Sequence, residues 1–146
     1  MPEVVLPLNA PVSPNAANGN VSNANILVID DEAGIRESLE VLLSLEGYST
    51  TLAPDGAEGL RLLDVDNYDL VLLDLALPGQ SGLELLPQIK ERQPELPVIM
   101  ITAYGDAETR RKAIEGGAAG LFTKPIDFPG LRDEIGRRLD EALGAS

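Results

Sequence analysis

Residues 70–82 read LVLLDLALPGQSG, and this stretch contains the change of pattern that decides the fold. Four apolar residues, 70–73, run without interruption into Asp74, which is typical of a strand buried on both faces of a parallel sheet. Proline, glycine and serine within 78–82 then indicate a loop. From 83 to 89, apolar residues return at helical spacing. The stretch therefore predicts a buried strand, a loop and an amphipathic helix, with a carboxylate where the strand ends.

The same succession of a short apolar run and a longer amphipathic segment recurs from residue 25 to the end of the chain. Alternation of this kind is typical of α/β domains whose strands are parallel. The pattern predicts five such strand and helix units. The predicted strands are 26–29, 48–53, 70–73, 97–102 and 118–123, and the predicted helices are 35–46, 55–65, 83–89, 106–115 and 131–143.

The composition limits both the core and the chemistry. Hydrophobic residues make up 44% of the 146 residues and aromatic residues only 3%, so the core must consist of Leu, Ile, Val and Ala. The formal charge of -13 repels phosphate backbones, so we expect no direct binding to nucleic acid. The sequence contains neither cysteine nor histidine, which excludes disulfides, thiolate or histidine catalysis, and metal sites built from these residues. Carboxylates, hydroxyls, lysines and the backbone are left to carry any chemistry.

Residues 1–24 differ in composition from the rest of the chain. They hold four prolines and five asparagines, and no lysine or arginine. They lack the basic and apolar regions of a signal peptide, and no apolar run in the chain approaches the roughly 20 residues of a membrane-spanning helix. Because such a segment has little to bury, we expect a disordered tail. One domain should follow over residues 25–146, in a soluble, cytoplasmic protein with no membrane contact.

Polar side chains stand at the ends of four predicted strands: Asp30 with Asp31, Asp74, Thr102 and Lys124. The carboxyl ends of parallel strands meet at one edge of a sheet, where ligands bind, so these side chains should converge. Three neighbouring carboxylates repel one another, and a hard divalent cation such as Mg2+ relieves that repulsion. With a hydroxyl and an ammonium nearby, the set suits phosphoryl transfer, in which a carboxylate can be the covalent acceptor.

Taken in order, these residues resemble the motif set of response-regulator receiver domains, over about residues 26–143. The matching pieces are Asp30-Asp31, Asp74 within Asp-Leu-Ala-Leu-Pro-Gly-Gln-Ser-Gly, Thr102 before Ala-Tyr-Gly-Asp, and Lys124-Pro125. The resemblance implies a doubly wound α/β fold, with five parallel strands in the flavodoxin-like order 2-1-3-4-5 and helices on both faces. It also implies a regulatory phosphoacceptor rather than an enzyme, which receives its phosphoryl group from a histidine kinase or a phosphotransfer protein.

The resemblance assigns a metal site to the acidic residues. By similarity to the family, Mg2+ is bound directly by Asp31 and Asp74, and through a water molecule by Asp30. The backbone carbonyl of Ala76 is expected to complete the ligands that the protein supplies.

The phosphoryl site follows from the same resemblance. Asp74 is expected to be the acceptor, with Thr102 and Lys124 contacting the phosphoryl oxygens. The family commonly has a cis peptide bond before the proline that corresponds to Pro125. Because no output domain follows residue 143, the signal is expected to leave through contact with an unidentified downstream protein.

One position departs from the family pattern. Receiver domains usually carry Tyr or Phe three residues before the lysine, and this chain has Leu121 there. Phe122 is adjacent, but the alternation of side chains along a strand points it to the opposite face. Tyr104, in the loop after the fourth predicted strand, is our candidate for a substitute reporter of phosphorylation.

Four other interpretations fit parts of this pattern. Asp30-Asp31 can cap a helix instead of binding a metal. A flavodoxin-like nucleotide binder shares the architecture, but the acidic residues 30–32 would repel its phosphate. A phosphatase with an aspartate nucleophile usually carries Asp-x-Asp, and this chain has Ala76 in place of the second aspartate. A degenerate receiver that serves as an unphosphorylated scaffold is kept open by Leu121.

Overall fold

A five-stranded parallel sheet forms the centre of the protein. The computed structural model describes residues 23–144. Its strands are β1 (Asn25–Ile29), β2 (Ser49–Ala53), β3 (Leu70–Asp74), β4 (Ala76–Leu77), β5 (Gln80–Ser81), β6 (Val98–Thr102) and β7 (Gly120–Thr123). The order in the central sheet is β2-β1-β3-β6-β7, and every neighbouring pair is parallel. When the five central strands are counted along the chain, this is the predicted 2-1-3-4-5 order, which is confirmed.

Helices cover both faces of this sheet. They are α1 (Ala33–Leu45), α2 (Gly56–Val65), α3 (Gly82–Arg92), α4 (Ala107–Glu115) and α5 (Phe128–Gly144). One buried cluster joins α2, α3 and α4 to one face, and a second joins α1 and α5 to the other face. The largest fully buried side chains are all leucine or isoleucine, as the low aromatic content predicts.

Burial explains why the central strands are continuous apolar runs. All five residues of β3 and of β6 are buried, because helices lie on both sides of them. The edge strand β2 has only Ala53 buried, which accounts for its weaker pattern. The registers pair Ile29 with Leu73 and Asp74 with Ile101, so β1, β3 and β6 end side by side. The residues that end or follow these strands therefore meet at one edge of the sheet.

Capping side chains fix the starts of two helices that follow the functional strands. At α3, the Glu84 side chain accepts a hydrogen bond from the Ser81 amide and the Ser81 hydroxyl caps the helix in return, which forms a capping box. At α4, the Asp106 carboxylate accepts a 2.8 Å hydrogen bond from the Thr109 amide. A cap of this kind is worth roughly 1 kcal/mol. It matters most for α4, which buries a single residue, Ala113, along its described length.

The loop after β3 contains an element that its composition does not predict. Ala76–Leu77 and Gln80–Ser81 pair as a two-residue antiparallel ribbon. At its turn, Gly79 has a φ of 76°, a conformation that glycine adopts without strain. Strands of two residues are too short to show an alternating pattern, so the sequence indicates only a loop here.

The last strand of the sheet is shorter than the sequence predicts. It begins at Gly120 instead of residue 118. The Ala118 amide donates a 2.9 Å hydrogen bond to the Ala113 carbonyl, so Ala118 still belongs to the end of α4. The chain turns into the sheet only after this bond is made.

The predicted tail lies outside the described residues apart from Asn23 and Ala24. Ala24 is 3% exposed and packs in the cluster of α1 and α5. The boundary between tail and domain stays a prediction. Within residues 23–144, no helix combines the length and apolar character needed to cross a bilayer.

Candidate functional site

Three carboxylates meet at the carboxyl edge of the sheet. Asp30 and Asp31 follow β1, and Asp74 ends the neighbouring strand β3. One carboxylate oxygen of each residue lies within 4.8 Å of the other two. Asp30 and Asp74 are 2% and 3% exposed, whereas Asp31 is exposed. The carboxylates that the sequence predicts to converge therefore do so, in a pocket that is open to solvent on the side of Asp31.

Backbone amides orient the two buried carboxylates. The Glu32 amide donates a 2.8 Å hydrogen bond to Oδ1 of Asp30, and the Ala76 amide donates one of 3.2 Å to Oδ1 of Asp74. The Arg36 guanidinium holds the same loop by donating a 2.7 Å hydrogen bond to the Asp30 carbonyl. Because these amides use Oδ1 of both aspartates, Oδ2 of each is left to interact with positively charged groups.

Lys124 supplies positive charge to the pocket. Its Nζ lies 3.2 Å from Oδ2 of Asp30 and 3.4 Å from Oδ2 of Asp74. It also contacts the carboxylate of Glu32, whose side chain is exposed. Lys124 follows β7 and precedes a cis peptide bond to Pro125, as the resemblance implies. One ammonium is thus shared by three carboxylates.

Burial and like charge raise the pKa of Asp74 from its ordinary value of 3.8 to about 6. Burial is the larger cause and repulsion from Asp30 adds to it, while the Ala76 amide and Lys124 act in the opposite direction. Burial alone would lower the pKa of Lys124, but the hydrogen bond to Glu32 and the neighbouring aspartates outweigh it and raise this pKa overall. Near neutral pH, Asp74 is therefore mostly ionised and Lys124 is charged.

Thr102 connects the pocket to the loop before α4. It ends β6, next to β3, and is fully buried. Its hydroxyl oxygen accepts a 3.0 Å hydrogen bond from the Tyr104 amide. The Tyr104 side chain is 68% exposed, and the small Ala103 between them is exposed too. Because this bond uses a lone pair, the Thr102 hydroxyl keeps its own proton to donate.

A close backbone approach fixes the position of Asp74. A Cβ atom at Gly82 would lie 2.5 Å from the carbonyl oxygen of Asp74 and 2.9 Å from Cα of Leu75. The Gly82 amide also donates a 2.7 Å hydrogen bond to the Leu75 carbonyl. Only glycine allows the start of α3 to pack this closely against the end of β3.

Leu121 and Phe122 lie on opposite faces of the sheet, as the alternation along the strand predicts. Leu121 is 6% exposed and belongs to the cluster of α2, α3 and α4. Phe122 packs against the cluster of α1 and α5. The ring of Phe122 therefore does not replace the aromatic side chain that receiver domains usually have at the position of Leu121.

Two contacts of the pocket come from residues that the sequence patterns do not single out. Glu32 contacts Lys124 across 92 positions of sequence, and Arg36 binds the Asp30 carbonyl. The only sequence signal for Glu32 is its place in the acidic run after the first strand. Arg36 gives no such signal, because a single arginine in the first turns of a helix is usually solvated.

The donor set of the pocket fits a divalent cation. Oδ2 of Asp30 is buried and has no hydrogen-bond partner within the described part of the chain, although Lys124 lies beside it as an ion pair. A buried charge requires compensation, and carboxylate oxygens are the donors that Mg2+ prefers. Lys124 alone cannot neutralise Asp30, Asp31 and Asp74 together. The residues present therefore fit Mg2+, while the Ala76 carbonyl stays a predicted ligand.

Comparison with known proteins identifies the family. A family model described as the response regulator receiver domain matches residues 26–136. The chain belongs to the response-regulator receiver domains. Members of this family are phosphoryl-accepting switches of two-component signalling, and they interact with histidine kinases or phosphotransfer proteins.

The receiver domain is similar to several curated proteins. It is 38% identical over 117 residues to sporulation initiation phosphotransferase F of Bacillus subtilis, covering 80% of this chain and 94% of that protein. It is 40% identical over 119 residues to the response regulator protein PilR of Pseudomonas aeruginosa, covering 82% of this chain. The matched part is 27% of the length of PilR, and also of the transcriptional regulatory protein GlrR of Escherichia coli. The receiver domain thus spans about a quarter of these regulators.

Solved structures share the fold of the receiver domain. A CheY-like receiver domain protein from Methanospirillum hungatei aligns with a TM-score of 0.81 and 31% identity, over 86% of this chain and 100% of that one. The response regulator protein TrrA of Thermotoga maritima, in complex with Mg2+ and BeF, aligns with a TM-score of 0.72 and 35% identity, over 79% and 98%. The family binds Mg2+ at an acidic pocket, and the three aspartates form such a pocket in this receiver domain.

Proposed function

We propose that Asp74 of this receiver domain accepts a phosphoryl group from the phosphohistidine of a histidine kinase or phosphotransfer protein. The observation that carries the proposal is the placement of the Asp74 carboxylate. It is buried beside Asp30 and Asp31, and its Oδ2 faces Lys124 at 3.4 Å. A nucleophile held in this way is already positioned, and the surrounding positive charge can stabilise the charge that develops during transfer.

The acidic pocket is the proposed Mg2+ site. Asp31 and Asp74 would bind the ion directly, Asp30 would bind it through water, and the Ala76 carbonyl would complete the protein ligands. When bound, the ion neutralises charge on the phosphoryl oxygens. Oδ2 of Asp30 supports this assignment, because it is buried and lacks a hydrogen-bond partner in the described chain.

For the transfer, the protein has mainly to position the reacting groups and to stabilise the charge on the phosphoryl oxygens. A carboxylate oxygen of Asp74 forms a bond to phosphorus, while the phosphorus–nitrogen bond of the donor breaks. The electron pair of that bond stays on the imidazole, which takes up a proton. Lys124 and the hydroxyl of Thr102 then contact oxygens of the new acyl phosphate. Lys124 can exchange Asp74 for a phosphoryl oxygen without leaving the pocket, because Asp30 and Glu32 still hold it.

The proposed output is a change in the loop before α4. The Thr102 hydroxyl is hydrogen-bonded to the Tyr104 amide, so a phosphoryl group that engages this hydroxyl acts on the loop as well. A change of that kind shifts the population of two surface states, which a downstream protein can distinguish. We place this exchange between proteins in the cytoplasm, where response regulators typically act, and without direct contact to nucleic acid.

Phosphorylation can be tested on the intact chain. Incubation with phosphoramidate and Mg2+ should add one phosphoryl group by intact mass, and Asp74→Asn should abolish the labelling. Asp64→Asn is the matched control, because Asp64 is an exposed carboxylate on α2 that pairs with Arg92. Equal labelling of Asp74→Asn and wild type would refute the acceptor. A wild-type chain that takes no label favours the alternative, an unphosphorylated scaffold, for which Leu121 is the supporting observation.

A further inference from the structure

An apolar surface on α1 is uncovered in the described structure. Val41 is 60% exposed and Leu45 is 75% exposed, and the two lie one helical turn apart on the same face. Leu42, beside them, borders a cleft of about 190 Å³ between α1 and the start of α5, where Ile126 and Phe128 line it. We call this set the α1 apolar surface; it comprises Val41, Leu42, Leu45 and the cleft residues Ile35, Ile126 and Phe128. A cavity of ~150 Å³ can hold benzene, so the cleft is large enough for an aliphatic side chain.

The chain enters the described structure next to this surface. The Asn23 amide donates a 2.8 Å hydrogen bond to the Gly47 carbonyl, and Gly47 lies two residues after the last residue of α1, Leu45. Asn23 has a φ of 64°, which turns the backbone sharply at this point. The described chain therefore begins at the end of α1 that carries Leu45.

One part of residues 1–22 has the composition of a ligand for such a surface. Residues 4–8 read Val-Val-Leu-Pro-Leu and contain no charge, whereas the following residues are mainly small or polar. Proline and β-branched residues favour an extended backbone. In an extended segment, alternate side chains lie on one face about 6.6 Å apart, which is close to the ~6 Å rise between Val41 and Leu45 on a helix.

The chain between residues 4–8 and Asn23 is long enough for these residues to reach the α1 apolar surface. Fourteen residues separate Leu8 from Asn23. A flexible chain of this length has a root-mean-square span of roughly 20 Å. The 13 residues of α1 also extend over about 20 Å. A tether that matches the distance gives the segment a local concentration on the order of millimolar at the helix.

We propose that residues 4–8 bind the α1 apolar surface of the same molecule. Within the described residues, the other exposed large hydrophobics are isolated on different elements: Val65, Tyr104 and Ile114. The segment would run from the end of α1 toward the cleft at Ile126, two residues after Lys124.

A spin label tests where the segment lies. Because the chain has no cysteine, Asn9→Cys provides a single labelling site in the full-length protein. The label should broaden the amide signals of residues 38–45 and leave those of Val65 sharp. Leu6→Asp should restore the signals of α1, and Val12→Asp, a control in the same segment, should not. Broadening that is confined to the vicinity of Asn23, or that survives Leu6→Asp, would overturn the proposal.

Two further samples complete the test. In a mixture of spin-labelled chains without isotope enrichment and isotope-enriched chains without a spin label, the amide signals of α1 should stay sharp. Broadening of these signals would identify a second copy as the occupant and overturn the intramolecular proposal. Leu6→Asp should take up phosphoryl groups from phosphoramidate at the wild-type rate. This last measurement separates the two proposals, since it reports on Asp74 and not on the segment.

Discussion

The Nζ of Lys124 lies 3.4 Å from Oδ2 of Asp74, although the residues are 50 positions apart. Lys124 follows β7 and Asp74 ends β3, and β6 lies between these two strands. The lysine therefore reaches across the end of a strand to contact the aspartate. A pocket assembled in this way exists only when the sheet is complete. Changes in its charge should consequently appear in the free energy of unfolding as well as in activity.

Asp74→Asn should raise the free energy of unfolding near neutral pH in the absence of Mg2+. The folded protein raises the pKa of Asp74 from 3.8 to about 6, so between these values the folded state binds more protons than the unfolded state. The stability that Asp74 contributes is thus complete below pH 3.8 and is lost as the pH rises through about 6. The ionised carboxylate then destabilises the fold by on the order of 3 kcal/mol, and the amide removes that charge.

Urea unfolding with a chelator, over a range of pH, measures this difference. Wild type should lose stability through the stated window, and Asp74→Asn should show a flatter profile. Asp64→Asn should follow the wild type. A variant no more stable than wild type near neutral pH would contradict the pKa on which the prediction rests.

Asp31→Ala should weaken Mg2+ binding more than Asp30→Ala. Residues that act on a metal through water or other ligands typically contribute about 10- to 100-fold in affinity, and loss of a direct ligand should exceed that. Titration calorimetry of the two variants gives the ratio. The reverse order would exchange the roles of the two aspartates, and a wild type that binds no Mg2+ would remove the metal from the proposal.

Gly82→Ala should destabilise the protein and lower phosphoryl labelling. The added Cβ would lie 2.5 Å from the Asp74 carbonyl oxygen, so backbone must move at the acceptor, at a cost of at least about 1–3 kcal/mol. Gly136→Ala is the matched control, because a Cβ there meets nothing within 4 Å and Gly136 lies inside α5. That control should be stabilised by roughly 0.5–1 kcal/mol. Thermal unfolding should show changes in stability of opposite sign for the two variants. Equal changes would show that the close approach at Gly82 is unimportant.

Tyr104→Ala should shorten the lifetime of the phosphorylated form. Ala76, two residues after the acceptor, can neither orient nor activate a water molecule, and exclusion of water slows hydrolysis at a charged site. The Tyr104 ring is 68% exposed and its amide is bonded to the Thr102 hydroxyl. We expect the loop to bring the ring over the pocket when this hydroxyl engages a phosphoryl oxygen. Tyr104→Phe, which keeps the ring, should retain the wild-type half-life. An unchanged half-life and unchanged partner binding in Tyr104→Ala would exclude shielding and reporting by this residue.

The sequence predicts the fold and the pocket where local pattern and function coincide. Strand β3 is buried on both faces, so its apolar run is visible, and Asp74 stands out because it interrupts that run with a charge. The contact of Glu32 with Lys124 leaves no local pattern in the sequence, because the two residues are 92 positions apart and meet only in the folded protein. The requirement for glycine at residue 82 is equally hidden, because it comes from the carbonyl of a neighbouring element rather than from a local turn.

The central sheet also acts as a partition between two sets of interactions. Leu121 packs with α2, α3 and α4 on one side, while the adjacent Phe122 packs with α1 and α5 on the other. Substitutions that repack one side meet few neighbours from the opposite side. The two layers can therefore change separately, and a chimera that exchanges only the α1 and α5 layer between receivers should leave the packing of α2, α3 and α4 unchanged.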